Sequence, residues 1–214
     1  MEMMFTRGWT DGLPVVPPTE VRVMRMLSGT TRAPSDVVAT VPPGHIYGLL
    51  YSVLVPLLSG GAFLRETPFH AEAVAKATRE HQADVLVTVP AHLRGLGSVD
   101  GGAFGELARA FSSTAPLGRR VAAAFTDRQG LGITEVFGSS ETGGIAWRDQ
   151  RSTTRWQPLP SVTIATSDDD RLLVTSPFAD DRFPLPFATA DLAEVHEDGT
   201  FSHRGRVDGV VKVG

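Results

Sequence analysis

The chain has 214 residues, enough for one large or two small domains with a buried core, and 42% apolar with 21% charged residues reads as an ordinary water-soluble protein. A formal charge of −4 with no basic run argues against nucleic-acid and membrane-surface binding. The absence of cysteine excludes disulfides, thiolate metal sites and thiol nucleophiles, and the expected location is the cytoplasm. The N-terminus has no apolar core of signal-peptide length, and the longest apolar run, Ile46 to Leu58, is too interrupted to span a bilayer.

Residues 1–37 are turn-rich and then briefly helical: Pro17-Pro18 precede Thr19, a candidate N-cap, and Val21 to Leu27 has near-helical apolar spacing. From there strand and helix alternate. Val37 to Val41 reads as a buried strand, Ile46 to Leu58 as an interior helix apolar nearly all round, and Ala62 to Leu64 as a short strand. A helix follows over His70 to Gln82, then a strand at Val85 to Val89 and a proline-started helix at Pro90 to Leu96. Next come a strand at Ala110 to Ser113, a helix at Gly118 to Asp127 and a strand at Ile133 to Phe137. Such alternation implies an α/β fold, with a mainly parallel sheet flanked by helices over 38–150. Past residue 150 the texture changes to short runs, Val162 to Ile164 and Leu172 to Val174. Leu192 to His196 and Thr200 to His203 then flank Glu197-Asp198-Gly199, a hairpin signal. Residues 151–214 are therefore expected to form a smaller β-rich, barrel-like region.

The chemistry concentrates in ITEVFGSSETGGIAWR, Ile133 to Arg148. A β-type run breaks at Gly138 and then offers two hydroxyls and one carboxylate, the kind of polar group that α/β proteins place at a sheet's carboxyl edge. Hydroxyls can donate to phosphate, the carboxylate of Glu141 can hold Mg²⁺, and Phe137 has a flat face for a base. A serine-rich turn with a solvated glutamate is the competing reading.

FGSSE resembles the Tyr-Gly-x-Thr-Glu core of the adenylate-forming superfamily, with Phe137 for Tyr and Ser140 for Thr, followed by Gly143. Further segments resemble the same superfamily in the same order. In Pro42-Pro43-Gly44-His45-Ile46-Tyr47-Gly48, His45 and Gly48 match a Pro-x-x-His-x-x-Gly segment beside the acyl pocket; a histidine capping the following helix is the alternative. Ser113-Thr114-Ala115-Pro116-Leu117 resembles the small-residue turn beside adenine and acyl group, with an N-cap as the alternative. Thr189-Ala190-Asp191 resembles Thr-Gly-Asp, whose aspartate accepts from ribose hydroxyls. Gly205-Arg206-Val207-Asp208, continuing to Lys212 and Gly214, resembles the Gly-Arg-x-Asp hinge segment, whose arginine contacts ribose or phosphate. Ser28-Gly29-Thr30-Thr31-Arg32-Ala33-Pro34 looks like the phosphate loop, but arginine replaces its second glycine and Ser35 its lysine.

The resemblance spans 38–214 and is nearest the short ligases of aryl-polyene clusters. It implies a fragment of an ATP-dependent ligase that joins an aryl or fatty carboxylic acid to AMP, with ATP/AMP and Mg²⁺ as cofactors and CoA or an acyl carrier protein as acceptor. Glu141 would hold the metal and, with Ser140, serve the reaction. Thr114, Ala115, Pro116, Phe137, Gly138, Asp191 and Arg206 would hold the nucleotide. His45, Gly48, Ser113 and Gly143 would line the acid pocket. Because the chain stops at the hinge, before the lid and its lysine, it is expected to be slow or inactive alone. A non-catalytic AMP- or acid-binding protein or partner subunit is the alternative.

Overall fold

Strand β1 (Val37–Ala39) pairs in parallel with β2 (Val85–Thr88), and all seven residues are buried, so both strands read as unbroken apolar runs rather than alternating ones. The computed structural model that shows this describes residues 36–179 and 182–209. The helical pattern at Val21 to Leu27, the Ser28–Ser35 loop, Lys212 and Gly214 lie outside those residues. The described chain forms two compact units, one of residues 36–88 with 99–108 and one of 89–98 with 109–209.

In the first unit, Thr40 and Thr88 share a buried hydroxyl contact at 2.9 Å, just beyond the strand pair. The expected strand at Ala62 to Leu64 reduces to a single parallel bridge between Phe63 and Val37, cut short between the left-handed Gly60 and a bend at Arg65. The expected helix at Ile46 to Leu58 forms but is not regular. It begins as α1 (Ile46–Gly48), widens into a π-turn over Leu49–Leu54 and resumes as α2 (Val55–Ser59). Pro56 lacks an N–H and its ring crowds the carbonyl one turn back, so a wider turn just before it relieves both problems. Nor is it interior all round. Small residues Gly48, Ser52, Pro56 and Ser59 are on its buried side, while Leu50 and Leu58 are exposed. The next helix, α3 (Ala71–Glu80), buries Val74, Ala75, Ala77 and Thr78 along one stripe.

The second unit contains α4 (Pro90–Leu96), β3 (Arg109–Ser112) and α5 (Arg119–Gln129), which ends at a left-handed Gly130. β3 is parallel to β4 (Ile133–Ser139). β4 does not stop at Phe137 as its apolar pattern suggests. It runs through Gly138 and folds back as an antiparallel hairpin onto β5 (Gly143–Asp149), which also pairs with β6 (Gln157–Pro158). The sheet is therefore mixed. A second, wholly antiparallel sheet has the order β10 (Phe201–Arg206), β9 (Phe187–Val195), β8 (Arg171–Thr175), β7 (Thr163–Thr166). The expected hairpin at Glu197-Asp198-Gly199 is the β9–β10 connection, with Gly199 at φ 77°. Ile145, Trp156, Leu172, Val174, Ala193 and Phe201 form this unit's buried cluster, and Phe137 packs against it.

Candidate functional site

The β4–β5 hairpin sets out the site. Gly138 faces Gly144 across the ladder, at a register shift that follows Phe137. A side chain at 138 would meet the Gly143 carbonyl oxygen at 2.5 Å, so only glycine lets the two strands approach this closely. Gly143 itself sits at φ 70°, where glycine alone is unstrained. The turn between them holds Ser140, which is exposed, and Glu141, which is half-buried. It is braced from inside by fully buried Thr142, whose hydroxyl lies 3.0 Å from that of Ser139 and whose carbonyl accepts from Ser176.

Two residues from the second sheet stand beside this turn. Asp191, on β9, is only 8% exposed and would be costly to bury alone. It is paired instead: His203 Nε2 lies 3.0 Å from Oδ1 and Arg206 3.5 Å from Oδ2. Arg206 turns its fork onto Asp208 at 2.7 and 3.0 Å. The hydrogen bonds it donates to Asp208, then the charges of Asp191 and Glu141, hold the Arg206 guanidinium more firmly protonated than usual. Glu141 is thus within electrostatic reach of Arg206. Phe137 is half-buried, with its ring braced by three neighbours. It packs 5.4 Å from Trp156, 5.8 Å from Phe201 and 5.6 Å from His203, centroid to centroid.

The structure therefore brings Phe137, Gly138, Glu141, Gly143, Asp191 and Arg206 into one neighbourhood of the second unit. The Ser113–Pro116 turn follows β3 in the same unit. Ser113 Oγ donates to the Val136 carbonyl at 2.7 Å, and Thr114 adopts φ 78°, a strained conformation for a β-branched residue. His45 and Gly48 belong to the first unit. His45 caps α1, its Nδ1 accepting from the Tyr47 amide at 3.2 Å, and Gly48 lets the helix approach Pro42 closely. Burial raises the Tyr47 phenol well above its ordinary pKa.

Sequence reasoning passed over His203 and Trp156, because nothing local distinguishes them. Only the alternation along β10, which puts Phe201 and His203 on one face, hints at His203. Among the described residues no three His, Asp or Glu side chains stand together as a metal cluster, and no helix is long and apolar enough to cross a membrane.

A family model described as AMP-binding enzyme matches residues 19–178. The chain belongs to the AMP-binding enzyme family. The match begins upstream of the motif resemblance and takes in the Ser28–Pro34 loop. The chain is 35% identical over 135 residues to a 4-coumarate–CoA ligase of Rhodobacter capsulatus, covering 60% of this chain and 33% of the relative. It is 29% identical over 153 residues to a sulfoacetate–CoA ligase of Cupriavidus necator, covering 68% and 30%. In fold it matches the ATP-bound MatB of Rhodopseudomonas palustris with a TM-score of 0.71 at 19% identity, covering 87% of this chain and 43% of that one. These matches cover 30–43% of the relatives' own length.

Proposed function

We propose that the chain is part of an ATP-dependent carboxylic-acid ligase. A substrate carboxylate attacks the ATP α-phosphate, pyrophosphate leaves and an acyl-AMP forms. The observation that carries this reading is the convergence of Phe137 and Glu141 from the β4–β5 hairpin with Asp191 on β9 and Arg206 on β10, in a chain of the AMP-binding family.

In this reading Asp191 accepts from the ribose hydroxyls, Arg206 faces the ribose or phosphate, and Ser140 donates to a phosphate oxygen. Phe137 is one wall for adenine, its ring kept in place by the aromatic cluster. The Ser113-Thr114-Ala115-Pro116 turn and Gly138 let the ligand approach backbone closely, and Gly143 is assigned to the acid pocket. No general base is required, because the attacking carboxylate is already the nucleophile. The protein's work is positioning and charge stabilisation.

The described donor set fits Mg²⁺ through Glu141. Among the described residues, Asp191 and Asp208 are engaged by Arg206, which leaves Glu141 as the available carboxylate of this neighbourhood. One carboxylate suits a Mg²⁺ that takes its other ligands from nucleotide phosphates and water, not a resident all-protein cage. Bound there, the ion would neutralise phosphate charge. The acid is of aryl or fatty type and the acceptor CoA or a carrier protein, the former matching the CoA ligases among the relatives.

A thermal melt with a panel of acyl- and aryl-sulfamoyl adenosines, stable mimics of the acyl-AMP, tests the reading. A ligand that binds the native state must raise the melting temperature, and the best mimic names the acid class. A cooperative melt that no mimic shifts would refute it. Glu141→Ala should abolish Mg²⁺-dependent ATP binding and leave AMP binding largely intact; equal loss of both would remove Glu141 from the metal role.

A further inference from the structure

Glu135 interrupts the apolar run of β4 and is only 3% exposed. A buried carboxylate needs partners, and it has three donors on two side chains. Arg148, its direct cross-strand neighbour on β5, grips it with a two-pronged fork, Nε to Oε1 at 2.7 Å and Nη2 to Oε2 at 3.1 Å. Gln150 Nε2 donates to Oε1 at 2.6 Å.

Each partner reaches on to a different wall of the site. The same Gln150 nitrogen donates to the Leu117 carbonyl at 2.8 Å, at the end of the Ser113–Leu117 turn. Both partners of that nitrogen are acceptors, so the amide cannot flip, and Gln150 Oε1 is left buried without a partner. The other arm is Arg148, whose guanidinium carbon lies 4.1 Å from the centroid of the Trp156 ring. Trp156 Nε1 has no hydrogen-bond partner, so ring contacts alone orient the indole that backs Phe137 at 5.4 Å.

We propose that Glu135 is a positioning residue for the nucleotide site, one buried carboxylate that sets both the Ser113–Leu117 turn, through Gln150, and the Phe137 wall, through Arg148 and Trp156. The inference rests on the reading above that these two segments flank the nucleotide. Stability alone does not account for the network. Apolar residues of similar volume commonly replace buried ion pairs at no loss, whereas a planar fork supplies fixed orientation.

The test compares Kd for the best sulfamoyl-adenosine mimic with the melting temperature of the free protein, at a temperature where every variant is folded. Glu135→Gln should weaken the mimic about tenfold or more, the scale of a small misplacement of binding groups. Gln150→Ala should lose part of that affinity, and combined with Glu135→Gln the loss should be less than the sum of the two, because both variants act on the same contact. Phe125→Leu, a fully buried position in α5 outside the network, should lower the melting temperature and leave Kd unchanged. If Glu135→Gln does not fold, Gln150→Ala keeps the ion pair and carries the same comparison. Loss of melting temperature with an unchanged Kd, as for Phe125→Leu, overturns the positioning role while the nucleotide reading stands. A wild-type chain that binds no mimic overturns both.

Discussion

Two glycines face each other across the β4–β5 hairpin and should respond very differently to the same added methyl. At Gly138 a Cβ would lie 2.5 Å from the Gly143 carbonyl oxygen and 3.1 Å from Gly144 Cα, both backbone atoms that cannot step aside. Restoring an ordinary contact of about 3.4 Å requires the strands to part by roughly 0.9 Å. Overpacking of this kind costs about 1–3 kcal/mol. For a chain of this size that is about 2–12 °C in melting temperature. At Gly144 the added Cβ meets only the Leu159 Cδ1 atom at 3.0 Å, the end of a side chain that can rotate away. The cost there should stay under about 1 kcal/mol. Both alanines stiffen the unfolded chain equally, so that contribution cancels and the difference isolates the clash. Circular-dichroism melts of Gly138→Ala and Gly144→Ala make the comparison. Gly138→Ala should also lose affinity for the sulfamoyl-adenosine mimic, since parting the strands moves the turn that presents Glu141. Equal melting temperatures for the two variants would refute the steric argument.

Gly48→Ala should be among the most damaging substitutions in the first unit, because its Cβ would lie 2.2 Å from the Pro42 carbonyl oxygen. The expected loss is about 3 kcal/mol, and a melting temperature within about 3 °C of wild type would refute it. The Arg151–Asp149 pair supplies a pH test. The hydrogen bond from Arg151, opposed by burial, holds the Asp149 carboxyl below its ordinary range. Stability from a depressed carboxyl is present above the unfolded pKa of about 3.9 and is lost as pH falls through the folded value. Arg151 is half exposed at 54%, so screening limits the pair to about 1 kcal/mol or less. Urea unfolding of wild type and Arg151→Ala should therefore differ by up to about that much at pH 7 and converge as the pH falls below the depressed folded value of the Asp149 carboxyl. A difference independent of pH would show that Arg151 acts by packing rather than by charge.

The sequence by itself determined the elements whose cause is local. Proline at position 90 starts α4, and the Glu197-Asp198-Gly199 turn joins β9 to β10. The alternation of β and α over the first half and its loss in the second likewise announced a mainly parallel sheet flanked by helices followed by a smaller β-rich region, whereas the antiparallel β4–β5–β6 edge came only with the fold. The resemblance to the adenylate-forming superfamily also singled out Phe137, Glu141, Asp191 and Arg206, although these residues span 70 positions from first to last.

Only tertiary structure decided what surrounds them. The apolar run at Ile133 to Phe137 reads as a strand that ends at glycine. The close approach of Gly138 to Gly143 instead makes it half of a hairpin, and that approach depends on a partner strand that periodicity does not name. Glu135 read as a mere interruption because its partners, Arg148 and Gln150, are 13 and 15 residues away, and Leu117 is reached only through Gln150. His203 met Asp191, and Trp156 met Phe137, through strand register and sheet packing, which are properties of pairs of segments. Periodicity and turn chemistry act over a few adjacent residues, whereas burial of a charge is resolved by whichever donors the fold brings within hydrogen-bond reach.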